Sequence, residues 1–291
     1  MLYSMTGYGR AEKMIGEKNF LVELRSLNGK QYDIRLAIPA LLKPYEFDIR
    51  SMINEGLMRG SIECVISLKQ NGAEKPAYIN TALAKAYYEP MRTLADELGL
   101  SQENILSTLI KLPDVIAPST EIISEDEWNL FTGVLEGAID DLNKHRKEEG
   151  KSMEDDLLAR IMNIELQQAA VATLEPLRRI KIKEGLQKTL EENIGKETYD
   201  PNRLEQELIF YIEKIDLSEE QVRLKNHCDY FKDVLKENTI IKGKKLSFIL
   251  QEIGREINTT GSKAYDSDIQ KCVVLMKDEL EKAKEQILNV L

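Results

Sequence analysis

The chain is poor in the residues that most often carry covalent or metal chemistry: its 291 positions include three cysteines, two histidines and one tryptophan. Cys64, Cys228 and Cys272 are widely separated, odd in number and form no CxxC pair. That excludes a disulfide framework and a zinc knuckle and leaves buried thiols as the expectation. There is no run of about 18 apolar residues, and the opening MLYSMTGYGR lacks a basic segment followed by an apolar one, so the expectation is a cytoplasmic protein without membrane contact. An excess of positive charge is also missing. Forty Lys and Arg stand against fifty Asp and Glu, and a net charge of −10 excludes coating of nucleic acid by bulk electrostatics. The chain shows no fixed-period repeat, no low-complexity tract and no GxxxxGK[ST] phosphate loop.

What is present is enough for a globular protein. Hydrophobic residues make up 42% of the chain, and its length has room for two domains. The charge is unevenly spread: residues 72–220 hold 17 basic and 31 acidic side chains, whereas residues 221–263 hold 9 and 5, and residues 1–71 hold 10 and 8. Both ends therefore lean basic around an acidic middle.

Period-two alternation over Phe20–Arg25 and Tyr32–Ile38 flanks the turn dipeptide Asn28-Gly29, which predicts a hairpin between those strands. A helix from Pro44 to about Glu55 and a strand over Ser61–Gln70 complete the opening segment. Helical spacing then dominates, starting at an Asn80 cap and broken near Pro113, Pro118 and Pro201. The stretch from Gly150 to Asn193 is nearly free of breakers and reads as a projecting arm. Ser218 followed by Gln221 has the spacing of a capping box. The fold class is α+β: an N-terminal antiparallel sheet with a covering helix over 1–78, a long helical middle region over 79–200, and a C-terminal helical domain over 201–291.

The most chemically loaded segment is GKKLSFILQEIGREINTTGSK, Gly243 to Lys263. Leu246, Ile249, Leu250, Ile253 and Ile257 recur at three- and four-residue intervals, so one stripe of a helix faces a core. Glu252 and Glu256 project from neighbouring turns with Arg255 and Thr259 beside them. Two such carboxylates with a substrate phosphate suit Mg2+ or Mn2+; equally, they suit a solvated helix face neutralised by Arg255. Gly243-Lys244-Lys245 offers a helix N-terminus to a phosphate, and Gly261 reads as a C-cap, with Asn258, Ser262 and Lys263 as donors around it.

This segment, preceded by EEQVRLKNH at Glu219–His227, resembles the C-terminal block of the bacterial YicC/YloC family. SMTGYGRAE at Ser4–Glu12, followed by VELRSLNGKQYDIR at Val22–Arg35, is similar to the opening of the same family, in the same order. The resemblance covers both ends, with a weaker middle. Gly254 and Ile257 depart from the residues expected there. The resemblance implies endonucleolytic cleavage of RNA by a homo-oligomer, expected to be a hexamer that encloses its substrate. The alternative is a noncatalytic RNA-binding adaptor that delivers transcripts to another nuclease.

Two chemistries fit these residue types. In one, a divalent ion on Glu252 and Glu256 activates water; in the other, His227 deprotonates a ribose 2′-hydroxyl while Arg255 or Lys263 stabilises the phosphate oxygens. His227 also fits a packing histidine, and His145, in NKHRKEEG, reads as exposed. Around the first hairpin, Arg10, Arg25, Arg35 and Asn28 could track an RNA backbone, with Arg223, Lys244 and Lys245 joining from the C-terminal block. Pairing of Arg25 with Glu23 is the plainer alternative there. Tyr3, Tyr8 and Tyr32 could stack on unpaired bases or sit half-buried in the sheet.

Overall fold

The computed structural model describes residues 1–29, 32–70, 78–101, 104–117, 123–194 and 201–291. The breaks expected around Pro118 and just before Pro201 lie outside them. The N-terminal unit opens with β1 (Gly7–Ile15) and β2 (Lys18–Leu27), joined at Gly16, whose φ of 60° glycine adopts without a Cβ clash. β3 (Asp33–Ala37), a short 3-10 turn over Ala40–Tyr45, α1 (Glu46–Leu57) and β4 (Ser61–Gln70) follow.

The sheet order is β1-β2-β4-β3, with β3 parallel to β4 and the other pairs antiparallel. The sheet is therefore mixed, and the hairpin expected at Asn28-Gly29 does not form. β2 pairs with β1 and β4, while β3 lies on the far side of β4 and reaches it through α1, a strand–helix–strand crossover. Alternation identifies strands but not their partners, because a central strand and a hairpin strand carry the same period.

Phe20, Val22 and Leu24 of β2, and Ile62, Cys64 and Ile66 of β4, face a core closed by α1 and by the first part of a very long helix, α4 (Glu125–Ile194). Phe131, Leu135, Ala138 and Leu142 form the stripe that α4 lays on the sheet. Gly9 permits that contact, since a Cβ there would overlap the Ala138 carbonyl oxygen and the Leu142 backbone nitrogen. Gly9→Ala should therefore destabilise the fold by about 3 kcal/mol, the upper end for overpacking, because the obstacles are backbone and cannot rotate away. A urea melt that leaves the midpoint unchanged would contradict this packing.

A small unit of β5 (Tyr78–Ile79), α2 (Thr81–Glu97), α3 (Ile105–Leu109) and β6 (Ile116–Ala117) stands before α4. The Asn80 side chain accepts from the Leu83 N–H, the cap expected there. α4 continues straight through Gly150, and Met153, Leu157, Ile161, Ile164 and Val171 enter a second core. That core is shared with α6 (Ser218–Lys236), α7 (Gly243–Ala264) and α8 (Ser267–Ile287). Beyond Arg178 most described side chains of α4, and those of α5 (Pro201–Lys214), are exposed or half-exposed. The cap before α6 is supplied by Asp216, whose carboxylate accepts from the Ser218 N–H and hydroxyl, rather than by a Ser218–Gln221 box.

Two buried arginines tie α4 into both cores. Arg146, in the string that reads as exposed, donates to the carbonyls of Leu57 (3.0 Å) and Arg59 (2.9 Å) and to the Ser26 hydroxyl. Burial pushes its guanidinium down to about 10. Arg178 donates to the carbonyls of Lys263 (2.9 Å), Ala264 (2.7 Å) and Ile215 (2.7 Å) and pairs with Glu175. The three cysteines are buried and free, and burial pushes the Cys64 and Cys228 thiols up to about 12.

Candidate nucleic-acid interface and catalytic face

The two ends of the chain are joined directly. Ser4 and Val290 form a β-bridge, the Met5 N–H donates to Asn289 O (2.7 Å), and the Leu291 N–H donates to Tyr3 O (3.0 Å). The Asn28 side-chain amide adds bonds to Leu288 O (2.9 Å) and Asn289 Oδ1 (3.0 Å). A Leu291 oxygen accepts from the N–H groups of Lys242 and Gly243, both at 2.8 Å. The N-terminus of α7, expected as a phosphate seat, is therefore occupied by the chain itself. Gly243 is required there because a Cβ would overlap the Val290 carbonyl oxygen.

Between these joined ends opens a cleft of about 460 Å3. Met5, Asn28 and Gly29 line it from the N-terminal block, Arg59 from the turn after α1, and Lys244, Ser247, Phe248 and Gln251 from α7. Ile287, Leu288 and Val290 close it from the C-terminal side.

Along α7 the buried stripe is the expected one: Leu246, Ile249, Leu250, Ile253 and Ile257 all lie in the second core. Gly254 is buried against α8, where a Cβ would stand 3.0 Å from Leu280 Cδ2, and Ile257 fills the core, so both departures from the family pattern serve helix packing. The helix runs past Gly261 to Ala264 and is capped by Tyr265 in the left-handed conformation. Gly261 is thus not a C-cap; it makes room for Val273 of α8.

The exposed stripe carries Lys244, Phe248, Gln251, Arg255, Asn258 and Ser262 at alternating spacings of four and three. At 100° per residue, Glu252 and Glu256 sit roughly 80° and 120° round from Lys244, on the edge that faces α6. Glu252 is exposed and Glu256 is 4% exposed. Arg255 stands between the two with no ion pair among the described residues, so it does not neutralise them by direct contact.

Two contacts set the register of α6 against α7: Lys263 Nζ to Glu220 Oε1 at 2.7 Å, and Lys245 Nζ to Glu237 Oε1 at 2.6 Å. The helices are therefore antiparallel. His227 lies seven residues from Glu220 and Glu256 seven from Lys263, close to two turns along each helix in the same direction. His227 and Glu256 consequently stand at the same level of the α6–α7 seam. Neither makes a hydrogen bond or ion pair among the described residues. Further along the seam, the Thr260 hydroxyl and Glu220 Oε2 are buried without hydrogen-bond partners.

Two carboxylates one turn apart match the way Mg2+ is held by one or two carboxylates with water and phosphate completing the shell. Among the described residues, no three His, Cys, Asp or Glu side chains come together to hold a metal.

The remaining expected contacts are dispersed. One row across the open face of the sheet reads Tyr8, Arg25, Glu63, Arg35 by strand register, all exposed, and the next begins with Arg10 and Glu23. Arg25 lies over the Tyr8 ring at 6.0 Å, and the Tyr8 hydroxyl donates to Glu23 (2.9 Å), which raises the phenol pKa. Arg10 pairs with Glu12 (2.8 Å). Tyr32 is half-buried with its hydroxyl unpartnered, and burial raises it to about 12. Arg223 pairs with Glu219; Lys245 also packs on the Tyr230 ring at 5.3 Å; the Ser262 hydroxyl is spent on Thr259 O. Asn258 and His145 are exposed. Sequence reasoning did not find Arg59 or Phe248, because neither stands in a charged cluster or at a motif spacing.

Fold and site together define a class: a two-core α+β protein whose mixed sheet and helical bundle share one long helix and meet at a basic cleft, with an acidic edge on the other flank of α7. Residues 2–155 match the family description "Endoribonuclease YicC-like, N-terminal region", and residues 171–291 match "Endoribonuclease YicC-like, C-terminal". The chain belongs to this family. Over 300 residues, covering all of both chains, it is 31% identical to a Clostridioides difficile protein named "Probable endoribonuclease YicC". Over 293 residues, again covering all of both, it is 28% identical to a Haemophilus influenzae protein of the same name. No helix among the described residues is long and apolar enough to cross a membrane.

Proposed function

We propose that this chain is an endoribonuclease that cleaves RNA phosphodiester bonds at the Glu256–His227 seam, with Arg255 at the scissile phosphate. The observation that carries the reading is that Glu256, a residue 4% exposed, and His227 stand at one level of the α6–α7 seam, and neither makes a hydrogen bond or ion pair among the described residues. A carboxylate and an imidazole left without protein partners on one seam are available to a ligand. RNA enters over the open sheet face by way of Arg10, Arg25 and Arg35. It then crosses α7 along Lys244, Arg255 and Asn258, and reaches Lys263 and Arg223, which must leave Glu220 and Glu219 to meet phosphate, at the far end.

At the reacting phosphorus, the attacking water loses a proton, the P–O3′ bond breaks, and the departing 3′-oxygen gains a proton, which leaves a 5′-phosphate and a 3′-hydroxyl. In this reading one of Glu256 and His227 accepts and the other donates, and the Arg255 guanidinium offsets charge on the nonbridging oxygens. A divalent ion, Mn2+ or Mg2+, held by Glu252 and Glu256 would supply charge stabilisation and a readily ionised water. The working form is a cytoplasmic homo-oligomer, a hexamer enclosing its RNA, and light scattering of the purified protein measures that assembly.

The test is incubation of purified protein with end-labelled structured RNA in Mn2+, Mg2+ or chelator, with end-group analysis of the fragments. Internal cuts that require the ion and carry 5′-phosphates are expected. A 2′,3′-cyclic phosphate produced equally in chelator would assign attack to the ribose 2′-hydroxyl and remove the metal. Binding without cleavage under every condition would replace the enzyme by a noncatalytic adaptor.

A further inference from the structure

The cleft between the joined chain ends has a composition unlike the rest of the molecule. In a chain with fifty Asp and Glu, its described lining holds no carboxylate and two cations, Arg59 and Lys244. Neither cation makes an ion pair among the described residues. Phe248 lines the same cleft and is 55% exposed, with Lys244 Nζ 5.9 Å from its ring centroid. A large aromatic held that far into solvent forfeits the burial that would otherwise stabilise it, and it offers an open ring face.

The polar residues of the wall keep hydrogen-bonding capacity. Gln251 and Ser247 make no side-chain hydrogen bond among the described residues, and the Asn28 amide nitrogen is committed to Leu288 and Asn289, which leaves its Oδ1 as an acceptor. Donors and acceptors of both kinds thus surround one aromatic ring beside two cations that have no ion pair among the described residues. The volume, about 460 Å3, lies within the range of about 300–1,000 Å3 that holds small organic ligands. An anion that also carries a flat, hydrogen-bonding ring meets each of these features, and a nucleotide residue is that chemistry.

We infer that the cleft receives one unpaired nucleotide of the RNA, its base stacked on Phe248 and its phosphate held by Lys244 and Arg59, so that the protein selects RNA with a single-stranded nucleotide at this point. The inference rests on the RNA reading above and deepens it: a base still paired in an A-form helix presents no free face to Phe248. Gln251 and Ser247, with both a donor and an acceptor each, then bias which base is accepted. The cleft lies on the flank of α7 opposite the Glu256 edge, so the captured nucleotide sits upstream or downstream of the scissile bond and holds the strand in register.

The experiment is fluorescence anisotropy with the full chain in chelator, using an unstructured 12-nucleotide RNA, a blunt duplex of equal charge, and the same 12-mer made abasic. Because Phe248 is half in solvent, Phe248→Ala leaves the core intact. It should weaken binding of the unstructured RNA by about 5- to 150-fold, the range for loss of one stacked base, while Phe248→Tyr stays within about threefold of wild type. The abasic strand should bind wild type as weakly as the normal strand binds Phe248→Ala, and the duplex should not distinguish the variants. Equal affinity of wild type and Phe248→Ala for the unstructured RNA overturns the inference and leaves the endoribonuclease reading standing. Failure of wild type to bind any RNA overturns both. Displacement of the RNA by micromolar AMP or UMP would assign the cleft to a free nucleotide and overturn the inference alone.

Discussion

Replacing Glu256 with glutamine is expected to lower RNA cleavage by about 10²- to 10⁴-fold, the range for loss of a general acid or base, while RNA affinity in chelator stays within about twofold. The same substitution should leave the melting temperature unchanged or raise it. Those directions belong together. Glu256 is a residue 4% exposed whose carboxylate makes no ion pair or hydrogen bond among the described residues, so neutralising it breaks no such contact. An amide of the same shape keeps the packing, and replacing a functional residue often leaves stability equal or higher. Glu252, exposed on the adjoining turn, provides the contrast: Glu252→Gln should lower cleavage where a divalent ion is used and leave stability unaffected. A melting temperature that falls by many degrees in Glu256→Gln, with cleavage per folded molecule unchanged, would make Glu256 structural and remove the assigned centre.

Arg178→Ala should destabilise the C-terminal bundle by about 3–5 kcal/mol. The Arg178 guanidinium holds the carbonyls of Lys263 and Ala264 at the end of α7 and of Ile215 ahead of α6, so one side chain satisfies three helix-terminal acceptors that have no water to turn to. Its loss also leaves Glu175 buried with only the half-exposed Arg179 as partner. Lysine does not replace it, because three carbonyls around a planar fork exceed the geometry of a single ammonium. The measurement is denaturant unfolding followed by two probes. The single tryptophan, Trp128, stacks on Tyr45 at 4.1 Å and reports the N-terminal core, whereas far-UV circular dichroism is dominated by the helices. The dichroism midpoint should fall well before the tryptophan signal moves; coincident and unshifted transitions would show that Arg178 carries no such weight.

Much of the architecture could be read from residue order. The alternation of Phe20, Val22 and Leu24, the stripe from Leu246 to Ile257, the Asn80 cap and the buried cysteines all stand as their local patterns require. What escaped was pairing. Asn28-Gly29 carries a hairpin turn's residues yet leads out of β2 to a strand on the far side of β4, and its amide serves instead to tie the chain ends together. Arg146 sits in a string of charges that reads as solvated, yet its side chain reaches β2 at Ser26, the end of α1 at Leu57 and the turn after it at Arg59, all distant in sequence.

The candidate site divides in the same way. The Glu252–Arg255–Glu256 turn, the scarcity of histidine and the basic bias of both ends follow from the amino-acid sequence alone, because they depend on residue identity and on spacings shorter than two helical turns. That Glu256 is buried while Glu252 is not, that His227 stands at its level of the seam, and that Phe248 and Arg59 share a cleft were decided by tertiary packing. Each of these depends on the angle at which one helix meets another or on which strand lies next to which. Those choices minimise exposed apolar surface over the whole chain, and no window of a few residues contains that sum.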